Sequence, residues 1–225
     1  GSEMCIRDRN RDEINQFMFG GKSRIIGTHM IPNMSVYYEP ETEKVYSYDP
    51  QKAKQLLADA GYPNGEGFPV VEYLYNTSDA HKAVAEALQF MWEEELGVKV
   101  TLNNQEWAAF LQTRKDGDYS IARNGWIADY NDPISFLDMW KTGGGNNDAQ
   151  YANDDYDALI KQAKTTTDNA ERMDLLHQAE DKLIGEDSVL APLYFYTQKY
   201  MLADGIEGMY YCPLGYFFFG YTHQA

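Results

Sequence analysis

The strongest constraint on the fold is an alternation of strand-like and helix-like stretches between residues 70 and 126. VVEYLYN (70–76) is β-branched and aromatic, and VKVTLN (98–103) alternates apolar with polar positions. DYSIARNGW (118–126) reads as a third strand. A helix opens at Thr77, Ser78 or Asp79 and runs to Leu96, with Val84, Leu88, Met91 and Trp92 on one side and Gly97 as its stop. A second helix, about 105–116, carries Trp107, Phe110 and Leu111. Strand–helix–strand–helix–strand with short links predicts parallel strands joined by right-handed crossovers, an α/β fold.

The flanks add helices. NRDEINQFMFG (10–20) predicts a short one closed by Gly20 and Gly21. Residues 27–48 hold no sustained period and read as an ordered loop. Asp49-Pro50 is an N-cap followed by a first-turn proline, so QKAKQLLADA is helical and Gly61 ends it. PISFLDMW (133–140) predicts a short helix, KTGGGNNDAQ (141–150) a flexible loop, and 153–165 and 168–185 two more helices, the latter capped by Asp168. VLAPLYFYT (189–197) reads as a strand that KYMLADGIEG continues into a hairpin, and YYCPLGYFFFGYTHQA holds a last aromatic strand.

Charge narrows the partners. The 225 residues carry a net charge of −16. A basic footprint for nucleic acid or for anionic lipid is missing. No apolar run approaches the roughly 18 residues of a membrane span. Residues 1–9 are set aside: Gly1-Ser2 has the form of a cloning scar, and EMCIRDR resembles translated adaptor sequence. Cys212 is then the remaining cysteine, which excludes an internal disulfide or a cysteine metal cluster. The chain then reads as the C-terminal portion of something longer, and the missing signal peptide carries no information on localisation.

Enzyme signatures are absent. GGKS (20–23) lacks the glycine that a phosphate loop needs five residues before Gly21, where Gln16 stands. His29, His81, His177 and His223 are scattered, without a zinc-binding pair. Asp129, Asn131 and Asp132 begin like a calcium loop, but Pro133 falls where the next ligand belongs. No GxSxG elbow is present. Neither a metal nor a cofactor is expected.

The lead is then the polar residues at strand ends, where open α/β sheets hold their ligands. Asp129 and Trp126 follow the 118–126 strand, His81 follows the 70–76 strand, and Trp107 and Arg114 lie on the helix after 98–103. Each has a bland reading as well. Asp129 caps the turn before Pro133 or pairs with Arg123. Trp107 and Trp126 are core residues, Arg123 holds a carboxylate, Arg114 complements a helix dipole, and His81 is a surface residue.

YDPQKAKQLLADAGYPNG (48–65), YNTSDAHK (75–82) and NQEWAAFLQTRKDGDYSIARNGWIADYNDPISFL (104–137) resemble the oligopeptide-binding proteins of ABC importers, in the peptide/nickel family of extracytoplasmic solute-binding proteins. The resemblance runs in order over about 10–225. It implies a lobe of the type II periplasmic-binding-protein kind, with a mostly parallel sheet flanked by helices, as the C-terminal fragment of a two-lobe protein. Residues 10–196 would form the second lobe, and 197–225 would return to the first.

It also implies roles. Asp129 would receive a peptide's α-ammonium group, Arg123, Arg114 and His81 would meet peptide carboxylates, and Trp107 and Trp126 would line side-chain pockets. The implied partners are an oligopeptide and the permease subunits of an importer. The implied setting is periplasmic or a cell-surface lipoprotein, with the protein a monomer and without catalysis. A murein-peptide or other solute receptor of the same family is the nearest alternative, and a peptide hydrolase using Asp129 is an alternative of another class.

Overall fold

The computed structural model of the chain describes residues 10–19, 24–26, 30–32, 48–212 and 214–225. Residues 1–9, the GGKS run, His29 and most of the 27–48 stretch lie outside them. In chain order the elements are α1 (Arg11–Phe19), β1 (Arg24–Ile26), α2 (Pro50–Asp59), β2 (Val71–Asn76), α3 (Asp79–Leu96), β3 (Val100–Gln105), α4 (Trp107–Asp116), β4 (Ile121–Ala122), α5 (Ile134–Leu137), α6 (Asp154–Thr165), α7 (Asn169–Asp181) and β5 (Tyr194–Tyr196), then short strands β6 (Ile206–Glu207), β7 (Tyr210–Cys212), β8 (Tyr216–Phe218) and β9 (His223–Gln224).

The predicted parallel sheet forms in the order β3-β2-β4. Val71 to Asn76 pair in register with Val100 to Gln105, and Tyr73 and Leu74 pair with Ile121 and Ala122. Strand β2 is central and its Tyr73, Leu74 and Tyr75 are buried. Helix α3 lays Val84, Leu88, Met91 and Trp92 against this sheet in one core, together with Ala53 and Leu57 of α2 and Ile14 of α1. The Asp49 carboxylate accepts the Lys52 N–H at 2.9 Å, as an N-cap should. Gly97 ends α3 at φ +67°, and a Cβ there would run into the Asn64 carbonyl oxygen.

The strand predicted over 118–126 is shorter, ending at Ala122. The Arg123 N–H still reaches the Leu74 carbonyl at 2.8 Å. The Asn124 side chain then accepts the Gly125 N–H at 2.8 Å, which takes that donor out of the ladder. Beyond it Trp126 and Ala128 pack on a second core, built from α5, α6, α7 and Ile31. Within that core the Tyr156 hydroxyl donates to the Leu137 carbonyl at 2.7 Å, so the buried phenol is satisfied. Asn153 and Asp168 cap α6 and α7 through their side-chain oxygens. The helix predicted to run to 185 leaves α geometry at Asp181 and finishes in a π turn, Lys182–Glu186.

Two further expectations change. The 141–150 loop is tied down: the buried Asn147 amide donates to the carbonyls of Lys141 at 3.0 Å and Tyr151 at 2.8 Å, and its oxygen accepts the Tyr151 N–H. The hairpin expected after residue 197 does not form. Instead β5 pairs antiparallel with β1, β6 with β9, and β7 with β8. Pro192 shortens the first of these strands: it has no N–H, and its carbonyl accepts the Arg11 guanidinium at 2.7 Å. The tail leaves Tyr210, Tyr216, Phe218, Phe219 and Tyr221 exposed.

Candidate ligand site at the carboxyl ends of the parallel strands

Because β2, β3 and β4 are parallel, the segments that follow them leave from one edge of the sheet. After β2 come Asn76 and, in the first turn of α3, His81. After β3 comes Trp107, and after β4 comes the run from Arg123 to Asp129.

Arg123 and His81 are brought together, through two residues that sequence reasoning missed. Arg123 Nη1 donates to the Asn76 side-chain oxygen at 3.2 Å, and Nη2 donates to the Tyr196 hydroxyl at 2.9 Å. The Tyr196 oxygen lies 3.5 Å from His81 Nε2, and His81 Nδ1 lies 3.3 Å from the Asn76 carbonyl. One proton arrangement satisfies all four contacts. His81 Nδ1–H donates to the carbonyl, the Tyr196 O–H donates to Nε2, and Arg123 donates to both oxygens. Gly125 leaves room for this arrangement, since a Cβ there would sit 2.9 Å from Arg123 Nη2. Asn76 was legible as the last residue of a strand, and Tyr196 as one position of an alternating YFYT run. Neither signal said that they meet.

Among the described residues Arg123 has no carboxylate partner, so its charge is held by neutral groups. This removes the reading in which it pairs with Asp129. Arg114 is placed differently. Its Nε donates to Asp148 at 2.7 Å, Nη1 donates to Asn124 at 3.0 Å, and the guanidinium lies 5.2 Å from the Phe110 ring centre. The side chains of the Arg114–Asp148 pair are only 14% and 15% exposed. Tyr119, whose hydroxyl donates to the Asp148 carbonyl at 2.9 Å, has its pKa pushed up by burial and by the Asp148 charge.

Asp129 is exposed, and only its backbone is engaged: its N–H donates to Ser135 Oγ at 3.0 Å. Its carboxylate has no hydrogen bond or ion pair among the described residues. The turn before Pro133 is held by a different acid. Asp132 accepts the Ile134 N–H at 2.9 Å and pairs with Arg172 at 2.8 Å. The field around Asp129 is negative. The Tyr130 hydroxyl is pushed up by burial and then by the carboxylates of Asp132, Asp138 and Asp129, with Arg172 pulling the other way.

The two tryptophans differ. Trp107 opens α4, is 53% exposed and stacks on Phe110 with ring centres 5.8 Å apart. Trp126 is half-buried against the second core, and its indole N–H is buried without a hydrogen-bond partner among the described residues. Those residues hold no group of three or more His, Cys, Asp or Glu side chains placed for a metal ion, and no helix long and apolar enough to cross a membrane.

Known proteins share this architecture. The chain is 36% identical over 183 residues to the oligopeptide-binding protein OppA of Bacillus subtilis, covering 79% of this chain and 33% of that protein. It is 40% identical over 158 residues to the periplasmic oligopeptide-binding protein OppA of Salmonella typhimurium, covering 70% of this chain and 29% of that protein. The chain thus spans about a third of the length of these relatives. The crystal structure of a periplasmic oligopeptide-binding protein from Borrelia burgdorferi superposes with a TM-score of 0.79 at 32% identity, covering 86% of this chain and 38% of that one. The fold is accordingly a lobe of the type II periplasmic-binding-protein kind, with its parallel sheet flanked by helices. Residues 9–148, well over half of the chain, match the family described as bacterial extracellular solute-binding proteins, family 5 Middle, and the chain belongs to that family.

Proposed function

We propose that this chain forms one lobe of a receptor that captures oligopeptides outside the cytoplasm and hands them to the permease subunits of an ABC importer. The observation that carries the reading is the pair of opposite charges, Asp129 and Arg123, without charged partners among the described residues, on one short segment past the parallel sheet. A peptide is a zwitterion, and a receptor for it needs an anion for the ammonium end and a cation for the carboxylate end. Charge-assisted hydrogen bonds of this kind contribute roughly 1.5–3 kcal/mol each.

In this reading Asp129 takes the α-ammonium group. Arg123, aimed by Asn76 and Tyr196 and flanked by His81, takes a carboxylate. Arg114 supports that end, and Trp107 offers an indole face on which varied side chains can pack without being specified. Trp126 packs on the second core beneath this segment. Residues 10–196 make up the lobe and 197–225 return to a partner lobe. The separate pairing of β6–β9 and β7–β8, with their aromatic side chains exposed, supports that division. The receptor works as a monomer, closes over its ligand as two lobes and does no chemistry on it.

Calorimetric titration of a tripeptide into the protein at its full natural length, followed by mass analysis of the recovered peptide, tests this. Saturable binding with the peptide recovered intact is the expected result. Cleavage products would establish the hydrolase alternative, and absence of binding would refute peptide capture.

A further inference from the structure

We propose that Ser135 is a positioning residue for peptide capture: its buried hydroxyl, with Arg172 as a second tie, holds the Asp129 segment in place for a ligand's ammonium group. The proposal rests on the peptide-receptor reading and deepens it. Asp129 stands at the start of a run of bends, 129–132, with no helix or strand to fix it. Its neighbours give little apolar anchorage. Ile127 and Tyr130 are 69% and 50% exposed, and Ala128 reaches the second core with a single methyl group. A segment without other ties would have to be ordered when the ligand binds, and that entropy would be lost from affinity.

Two polar ties supply the anchorage. The Asp129 N–H donates to Ser135 Oγ at 3.0 Å. Ser135 is 7% exposed in α5, between Ile134, Phe136 and Leu137 of the second core. A hydroxyl in such a place is costly unless it is hydrogen-bonded, and this one accepts from the residue whose carboxylate is assigned to the ligand. The Ser135 N–H donates in turn to the Asp132 carbonyl at 3.1 Å, so the bends are closed onto α5. The second tie is Arg172 of α7. Its Nη2 donates to Asp132 Oδ1 at 2.8 Å, and its Nε donates to the Ala163 carbonyl of α6 at 3.2 Å. The same Asp132 oxygen accepts the Ile134 N–H at 2.9 Å. Asp132 is thereby engaged by the scaffold, whereas the Asp129 carboxylate has no hydrogen bond or ion pair among the described residues.

The test is calorimetric titration of a free tripeptide and of its N-acetylated form into the protein at its full natural length, as wild type, Ser135→Ala, Asp129→Asn and the double variant. S135A is expected to bind the free peptide about three- to tenfold more weakly than wild type, the scale of one hydrogen bond, and to bind the acetylated peptide equally well. On the D129N background the serine change should have no further effect on either peptide. Should circular dichroism show S135A unfolded, Arg172→Gln, which cuts the other tie, carries the same comparison. An unchanged preference for the free peptide, or an equal loss for both peptides, overturns the positioning role and leaves Asp129 as the ammonium site. A wild type that binds both peptides equally overturns the Asp129 assignment and this proposal with it. Failure of every protein to bind either peptide overturns peptide capture as well.

Discussion

Arg123 Nη2 donates to the Tyr196 hydroxyl at 2.9 Å, and this bond joins the rim of the parallel sheet to the β1–β5 ribbon. The two residues are 73 positions apart in the chain. The tyrosine oxygen fixes where the guanidinium points, and it also reaches His81.

Tyr196→Phe removes that oxygen and keeps the ring. The phenol is half exposed, so the fold should lose no more than about 1 kcal/mol, the net worth of an ordinary hydrogen bond. Peptide affinity should fall about three- to tenfold, because Arg123 is no longer aimed. Urea denaturation and calorimetry on the same samples separate the two effects. A loss of stability with unchanged affinity would make the bond purely structural.

Gly97 and Gly143 both hold a positive φ, +67° and +72°. They differ in surroundings: a Cβ at Gly97 would strike the Asn64 carbonyl, whereas one at Gly143 would meet nothing within 4 Å. Gly143→Ala should therefore cost about 1 kcal/mol, from backbone strain alone. Gly97→Ala should cost at least about 1 kcal/mol more, because two backbone segments must part. Equal midpoint shifts in urea would contradict this account of the α3 terminus.

The Asp138 carboxyl illustrates a pH effect with a definite sign. Burial works to raise its pKa, but hydrogen bonds and charge from Lys164 at 2.6 Å and Lys141 at 2.9 Å outweigh it, and the result lies below the ordinary value of 3.8. A carboxyl depressed on folding stabilises the native state above its unfolded pKa and loses that contribution as pH falls through the folded one. The stability difference between wild type and Asp138→Asn should thus be constant from about pH 5 to 7 and shrink below about pH 4. Its size should be modest, since about a third of the side chain is in water. Denaturation curves across that range check it, and a difference that grows in acid would reverse the argument.

How much of this was legible in the sequence depends on the range of the interaction. The helix boundaries at Asp49, Gly97, Asn153 and Asp168 are written in local capping chemistry, and the parallel order of β2, β3 and β4 follows from the helices between them. The apolar stripe Val84, Leu88, Met91, Trp92 is buried as its spacing required. What failed was local pattern where a distant partner decides. DYSIARNGW alternates like a strand, yet Asn124 and the pull of Trp126 toward the second core end it at Ala122. VLAPLYFYT pairs with β1, 170 residues away, rather than with its own continuation (Ile25 stands opposite Phe195). At the site, strand ends pointed to His81 and Asp129, and the family resemblance pointed to Arg123. No local signal distinguished Arg114, which carries a largely buried counter-ion, from Arg123, which has none among the described residues. Asp148 sits in a stretch that reads as a flexible loop, and only Asn147 reveals why it is held.

The central claim is that the exposed carboxylate of Asp129 receives a peptide's ammonium group. Its most direct test is calorimetric titration of a free tripeptide and of its N-acetylated form into wild type and Asp129→Asn. The account predicts that wild type binds the free peptide at least about tenfold more tightly than the acetylated one, the scale of one charge-assisted hydrogen bond, and that D129N loses this preference while keeping its fold. Equal binding of the two peptides by the wild type, or a preference that survives in D129N, would contradict it.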